Sequence, residues 1–108
     1  MNLAIFCLSF IRSNSTIELG GIMKETVQIL KALANERRLK ILRILNNDPG
    51  KSVSDLSGDI HLSFKATSRH LQKLKDARLV LSEQRNTNQH YYLCKEISPI
   101  VKGLINSV

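Results

Sequence analysis

Ser63-Phe64-Lys65-Ala66-Thr67-Ser68-Arg69-His70-Leu71-Gln72-Lys73-Leu74-Lys75-Asp76-Ala77 is written with the period of a helix. Ser63 is an N-cap candidate, because its hydroxyl can accept from a backbone N–H that the helix leaves unpaired. Phe64, Thr67, Leu71 and Leu74 recur at i, i+3, i+7 and i+10 and form one apolar stripe. The other face carries Lys65, Ser68, Arg69, Gln72 and Lys73, with a single acid, Asp76, near its end. Solvated helices ordinarily mix both signs, because opposite charges four residues apart stabilise each other. A face of donors almost without carboxylate suits a polyanion and points to a helix lying in a DNA major groove. For this helix alone, a merely solvated basic face is an equal alternative.

The segments on either side favour DNA. Upstream, Ser52-Val53-Ser54-Asp55 has capping-box spacing, and Val53, Leu56 and Ile60 continue it into a short helix. Gly58 inside that helix suggests close approach of another backbone. His61-Leu62 is then a tight link, and two helices joined this way make a helix-turn-helix whose second member enters the groove. Downstream the period changes from 3.6 to 2. Leu79, Leu81 and Glu83 alternate with Val80, Ser82 and Gln84, and His90-Tyr91-Tyr92-Leu93-Cys94 is a second strand. The polar Arg85-Asn86-Thr87-Asn88-Gln89 between them is a hairpin loop with two Asn able to take positive φ. A hairpin after a helix-turn-helix is a wing. The candidate DNA contacts are therefore Ser63, Lys65, Ser68, Arg69, Gln72 and Lys73 on the helix, with Arg85, Asn86, Asn88 and Gln89 on the wing.

Before this unit, Met23, Val27, Leu30 and Ala34, widened by Ile29 and Leu33, mark a first helix. Asn35 caps a second, Glu36 to Asn46, apolar over more than half its circumference at Leu39, Ile41, Leu42, Ile44 and Leu45. Arg37, Arg38, Lys40 and Arg43 take its remaining face. A helix that apolar touches several neighbours and belongs at the centre of the fold. Asn46-Asn47-Asp48-Pro49-Gly50 stops it. At the far end Ser98 caps a helix opened by Pro99, with Ile97, Ile100, Val101, Leu104, Ile105 and Val108 on one face. Both terminal helices thus carry apolar faces that a small domain has limited core to cover. Pairing with a second subunit through Val27, Leu30, Ile100, Val101, Leu104 and Ile105 is the economical solution.

Composition agrees. The chain of 108 residues has a net charge of +7 and 43% apolar residues, without Trp. A basic excess of this size on a small domain suits nucleic acid or an anionic membrane, and no apolar run reaches the roughly 18 residues needed to span a bilayer. Two cysteines, Cys7 and Cys94, are too few for a disulfide framework, and a reducing cytoplasm is the default location. Residues 1–22 read differently. Leu3 to Ile11 is apolar but lacks a basic flank, so it is a poor signal peptide. Gly20-Gly21 just before Met23 can be encoded by a bacterial ribosome-binding sequence. On that reading, 1–22 is an extension and 23–108 the winged helix-turn-helix domain with terminal dimerisation helices. A genuine N-terminal arm is the alternative.

Leu30-Lys31-Ala32-Leu33-Ala34-Asn35-Glu36-Arg37-Arg38-Leu39-Lys40-Ile41-Leu42 resembles the opening signature of the ArsR/SmtB winged helix-turn-helix repressors. So do Ser68-Arg69-His70-Leu71-Gln72-Lys73-Leu74 and Ala77-Arg78-Leu79-Val80, and the wing from Arg85 to Tyr91 and Leu93 is similar to that family's Arg-x-Gly-x-x-x-Tyr pattern. The resemblance covers about residues 24–97. It implies a mainly α fold with a small β-hairpin wing, a homodimer, and repression by occupying a pseudo-palindromic operator in double-stranded DNA. Three positions depart: Asn35-Glu36 replaces a frequent Asp-Pro, His61 stands where the turn often has Gly, and Thr87 where the wing often has Gly.

Metal sensing, the best-known property of that family, finds no ligands here. Where its third-helix site reads Cys-Val-Cys-Asp-Leu, this chain has Ser52-Val53-Ser54-Asp55-Leu56. Hydroxyls are poor ligands for soft ions, and Lys95 to Val108 contains no His, Asp or Cys. His61, His70 and His90 lack ligand spacing, and His70 reads as structural. No cofactor is implied. Cys94 reads as a small buried hydrophobe. The sharper alternative is a redox-responsive repressor using Cys94, a thiol with no local cysteine to pair with. Nucleotide-binding and hydrolase motifs are absent, so the chain does not read as an enzyme. The rival from another class is a winged helix whose basic face binds an acidic protein.

Overall fold

Among the described residues, five helices and three strands follow one another in the order α1 (Leu19–Leu33), α2 (Glu36–Asn47), β1 (Lys51–Ser52), α3 (Val53–Ile60), α4 (Phe64–Asp76), β2 (Val80–Arg85), β3 (Asn88–Leu93) and α5 (Pro99–Ser107). The computed structural model describes residues 19–108, with side chains from Met23 onward. Helix α1 begins at Leu19 and is continuous through Met23; residues 1–18 of the expected extension lie outside the described residues.

Helices α2 to α5 each start where a short polar side chain caps the first turn. Asn35 Oδ1 accepts from Arg38 N at 3.1 Å, Ser63 Oγ from Ala66 N at 3.1 Å, and Ser98 Oγ from Ile100 N at 3.2 Å. At α3 the capping box is complete. Ser52 Oγ accepts from Asp55 N at 3.2 Å, and Ser52 N donates to Asp55 Oδ2 at 3.3 Å. Helix α2 is the hub, as its width of apolar surface requires. Its Ile41, Leu42 and Leu45 are buried, and it packs against α1, α3, α4, α5 and β3. Leu56, Leu71, Leu74, Val80 and Ile105 complete the core.

The link between α3 and α4 depends on His61, which stands in the left-handed region at φ 55 and turns the chain so that Leu62 N returns to Ser57 O at 3.0 Å. The family's frequent Gly at this position has the same physical basis, since only glycine takes that conformation without steric cost. Gly58, by contrast, faces open space: a Cβ there would meet nothing within 4 Å. The expected close backbone approach is absent.

The wing is wider than a hairpin. β2 and β3 pair antiparallel from Val80↔Leu93 to Arg85↔Asn88, leaving only Asn86-Thr87 as the loop, with Asn86 at φ 56. A third strand, β1, joins the other edge of β3, giving the order β1-β3-β2. Two residues carry no period, so the sequence does not announce β1. Its turn does the aligning: Gly50 N donates to Tyr91 O at 2.9 Å, and His90 Nδ1 donates to Gly50 O at 2.8 Å. Strict alternation also fails at the base of β2, where Leu79, Val80 and Leu81 are all buried. One side meets the main core; the other meets a small cluster of Leu81, Cys94 and Ile97.

The two glycines give a paired test. Gly50 sits at φ +89, and a Cβ there would lie 3.3 Å from the Tyr92 ring. Gly50→Ala should cost about 1–2 kcal/mol from the left-handed backbone alone, with displacement of Tyr92 added. Gly58→Ala should instead stabilise by up to about 1 kcal/mol, the propensity gap in an unobstructed helix. Chemical denaturation midpoints should move in opposite directions.

Candidate nucleic-acid interface

Helix α4 buries Thr67, Leu71 and Leu74. Thr67 lies wholly in the core because its hydroxyl donates back to Ser63 O at 2.8 Å. Lys65, Arg69, Gln72 and Lys73 are exposed, and Ser68 is half-buried on the same side. No ion pair among the described residues involves Lys65, Arg69 or Lys73. Ser63 is exposed but its oxygen already serves as the cap. Gln72 is also partly committed, with Nε2 donating to Asp76 Oδ1 at 2.9 Å, which leaves its carbonyl for another group.

Phe64 departs from the expected stripe: it is 59% exposed. Helical side chains lean toward the N-terminus, so a residue in the first turn projects past the body of the helix, where the α3–α4 turn offers no packing surface. Angular position alone grouped it with Leu71; its place at the helix end is the signal that separates it.

On the wing, Arg85, Asn86 and Asn88 are exposed at the tip, while Gln89 is half-buried and donates from Nε2 across the strands to Gln84 Oε1. Arg85 is held rather than loose. Its Nε donates to Glu83 Oε1 at 2.9 Å, and its guanidinium lies 5.9 Å from the Tyr92 ring centroid. The hydrogen bond to Glu83 raises the Arg85 pKa above its ordinary value. Lys75 Nζ donates to Ser82 Oγ at 2.8 Å, tying the end of α4 to the wing.

Two cations on the polar face of α2 bind helix ends. Arg37 Nη1 donates to Ile60 O at 3.3 Å, at the C-terminus of α3. Arg38 serves the C-terminus of α1, with Nε to Ala32 O at 2.7 Å and Nη2 to Lys31 O at 3.2 Å. Its Nη1 meets His70 Nδ1 at 3.3 Å. Arginine can only donate, so that nitrogen accepts and His70 is neutral here. The His70 pKa is lowered, first by burial and then by the cations of Arg38, Arg37 and Lys73.

The terminal helices divide differently from the sequence expectation. Val101 and Ile105 are buried in the subunit's own core, packed onto α2, and are not free to form a seam with another chain. Ala32 and Leu33 turn the same way. Met23, Val27, Leu30, Ile100, Leu104 and Val108 remain exposed. Cys94 is buried and disulfide-bonded, which corrects the reading of an unpartnered thiol. Among the described residues no group of three His, Cys, Asp or Glu converges, and no helix is long and apolar enough to cross a membrane.

This fold and its exposed basic helix match known regulators. Residues 35–82 match the model of the bacterial regulatory protein arsR family. The HTH-type transcriptional regulator YgaV of Escherichia coli K12 is 33% identical over 91 residues, covering 82% of this chain and 91% of that protein. The chain belongs to the ArsR family. Reduced HlyU from Vibrio cholerae superposes on this ArsR-family chain with a TM-score of 0.67 at 36% identity, over 82% of this chain and 90% of that one. The homodimeric winged helix-turn-helix DNA-binding domain of Mb0332 from Mycobacterium bovis gives 0.73 at 27%, covering 82% and 81%. The ArsR-family chain is thus a winged helix-turn-helix, DNA-binding transcriptional regulator, not an enzyme.

Proposed function

We propose that this regulator is a homodimeric repressor that occupies a pseudo-palindromic operator with half-sites about one helical turn apart. Helix α4 enters the major groove. Ser68 and Gln72 face base edges, and Ser63, Lys65, Arg69 and Lys73 hold phosphates or the groove rim. Arg85, Asn86, Asn88 and Gln89 of the wing track the flanking backbone. The observation that carries the reading is that Lys65, Arg69 and Lys73 share one exposed face with no carboxylate among the described residues paired to them. The dimer is supported by the exposed apolar strips on α1 and α5, both helices leaning on α2, and by the homodimeric state of Mb0332.

The test is a footprint on the DNA upstream of its own gene, with a reporter fused to that promoter. Deleting the regulator should raise transcription; a fall would make it an activator, the role carried in the name of V. cholerae HlyU. Ser68→Ala and Gln72→Ala should relax preference at particular base pairs, whereas uniform loss would assign them to phosphate. Arg85 is held to Glu83 through Nε, which leaves its two terminal nitrogens for a phosphate. Arg85→Ala should therefore weaken all sequences alike and flatten the log–log salt slope by about one; an unchanged slope would remove Arg85 from the interface.

A further inference from the structure

We infer that Phe64 is a specificity-determining residue that packs on the 5-methyl group of thymine in the major groove. The inference rests on the groove placement of α4 proposed above and adds to it the chemistry of one contact. A phenylalanine 59% exposed at the first position of α4 is apolar surface left in water. The core does not take it, although Thr67, Leu71 and Leu74 of the same helix are fully buried.

Its position points to an occupant. Phe64, Ser68 and Gln72 stand at i, i+4 and i+8, one surface row of the helix, and this row carries the two residues assigned to base edges. Exposed cations flank the row at Lys65, Arg69 and Lys73. That charge pattern fits a polyanion around the ring better than an apolar protein surface. In helix-turn-helix proteins the N-terminal residues of the second helix meet base edges. Phenylalanine has no donor or acceptor with which to read them. The one apolar feature that a base pair presents in the major groove is the thymine methyl. Phe64 therefore selects T·A at its position by burying that methyl, while Ser68 and Gln72 read hydrogen bonds deeper in the half-site.

The contact can be removed from either side. The full-length protein would select a duplex from a random-sequence library, and each thymine in the selected duplex would be replaced singly by deoxyuridine, which lacks only the methyl. Affinity should fall about fourfold at one position in each half-site, the worth of one buried methyl. Phe64→Ala removes the contact from both subunits, so it should bind the thymine duplex about as weakly as wild type binds a duplex with deoxyuridine at both of these positions, and should not distinguish the two. Phe64→Leu, which keeps an apolar side chain, should retain part of the discrimination. Wild type indifferent to deoxyuridine at every position would overturn the inference. So would a Phe64→Ala protein that still discriminates, or one that binds DNA as tightly as wild type, as expected if the ring serves a protein partner. Arg69→Ala separates the two levels. If it weakens binding while Phe64→Ala does not, the groove placement stands and the thymine contact falls. If no duplex is selected, both fall.

Discussion

Leu104→Asp is expected to give a folded protein that is monomeric at micromolar concentration and has lost its operator. Leu104 is 47% exposed within one subunit, whereas Ile105 beside it is fully buried. The substitution therefore places its charge outside the subunit's own core, and stability of the isolated fold should change by no more than about 0.5 kcal/mol, as for ordinary surface positions. In a dimer built on the exposed residues of α1 and α5, the same carboxylate would enter an apolar seam twice, once from each subunit. An unpaired charge in such a place costs several kcal/mol, so the dimer constant should weaken on the order of a hundredfold or more. Operator affinity falls further, because two linked half-site contacts become two independent ones. Sedimentation gives the first result and a binding isotherm the second. A Leu104→Asp protein that stays dimeric would move the seam elsewhere. Ile105→Asp is the contrast: at a buried position it should unfold the chain rather than dissociate it.

That contrast marks where sequence reading runs out. Ile100, Val101, Leu104 and Ile105 all fall on one broad apolar arc of α5, and the arc alone does not say which part faces its own subunit. Only the packing of α5 on α2, linked at their polar edge by Asn46 Nδ2 to Asn106 Oδ1 at 2.8 Å, divides Val101 and Ile105 from Ile100 and Leu104. Local chemistry was legible. Asn35, Ser52, Ser63 and Ser98 cap helices as read, because a cap depends on three or four neighbouring residues. Lys65, Ser68, Arg69, Gln72 and Lys73 lie on one side of α4 because the helical period places them there. Contacts between distant segments were not legible. β1 exists through Gly50 meeting Tyr91 and His90 some forty positions away, and the tasks of Arg37 and Arg38 depend on helix ends that the chain brings to them. Nor does the sequence say that Glu83 and Gln84 hold Arg85 and Gln89, since register alone puts them in reach.

Arg38→Ala should be among the most destabilising single substitutions outside the apolar core, costing about 2–4 kcal/mol, because it removes several charge-assisted hydrogen bonds at once. A helix leaves its last four carbonyls without intrahelical donors. At the end of α1 these belong to Leu30, Lys31, Ala32 and Leu33. Leu30 O takes Ala34 N at 3.0 Å and Leu33 O takes Asn35 N at 2.8 Å; Arg38 serves the remaining two. The same guanidinium reaches His70 in α4, so one side chain fastens the end of α1 to the helix proposed to read DNA. It also joins the two stretches, Leu30–Leu42 and Ser68–Leu74, that carry the family resemblance. Arg38→Lys keeps a charge but not the fork and should recover only part of the loss. The pH dependence supplies an independent check. His70 titrates below its ordinary 6.5 in the folded chain, so between that lowered value and 6.5 the unfolded chain binds the extra proton. The contribution of neutral His70 to stability is complete above about pH 6.5 and is lost as pH falls through the lowered pKa. In Arg38→Ala one of the repelling cations is gone. The His70 pKa, followed by NMR, should rise toward 6.5 but remain below it, held down by burial, Arg37 and Lys73. This part of the acid sensitivity should shrink accordingly. An unmoved His70 titration would mean that Arg38 and His70 do not meet in solution, and α4 would then be positioned by its apolar face alone.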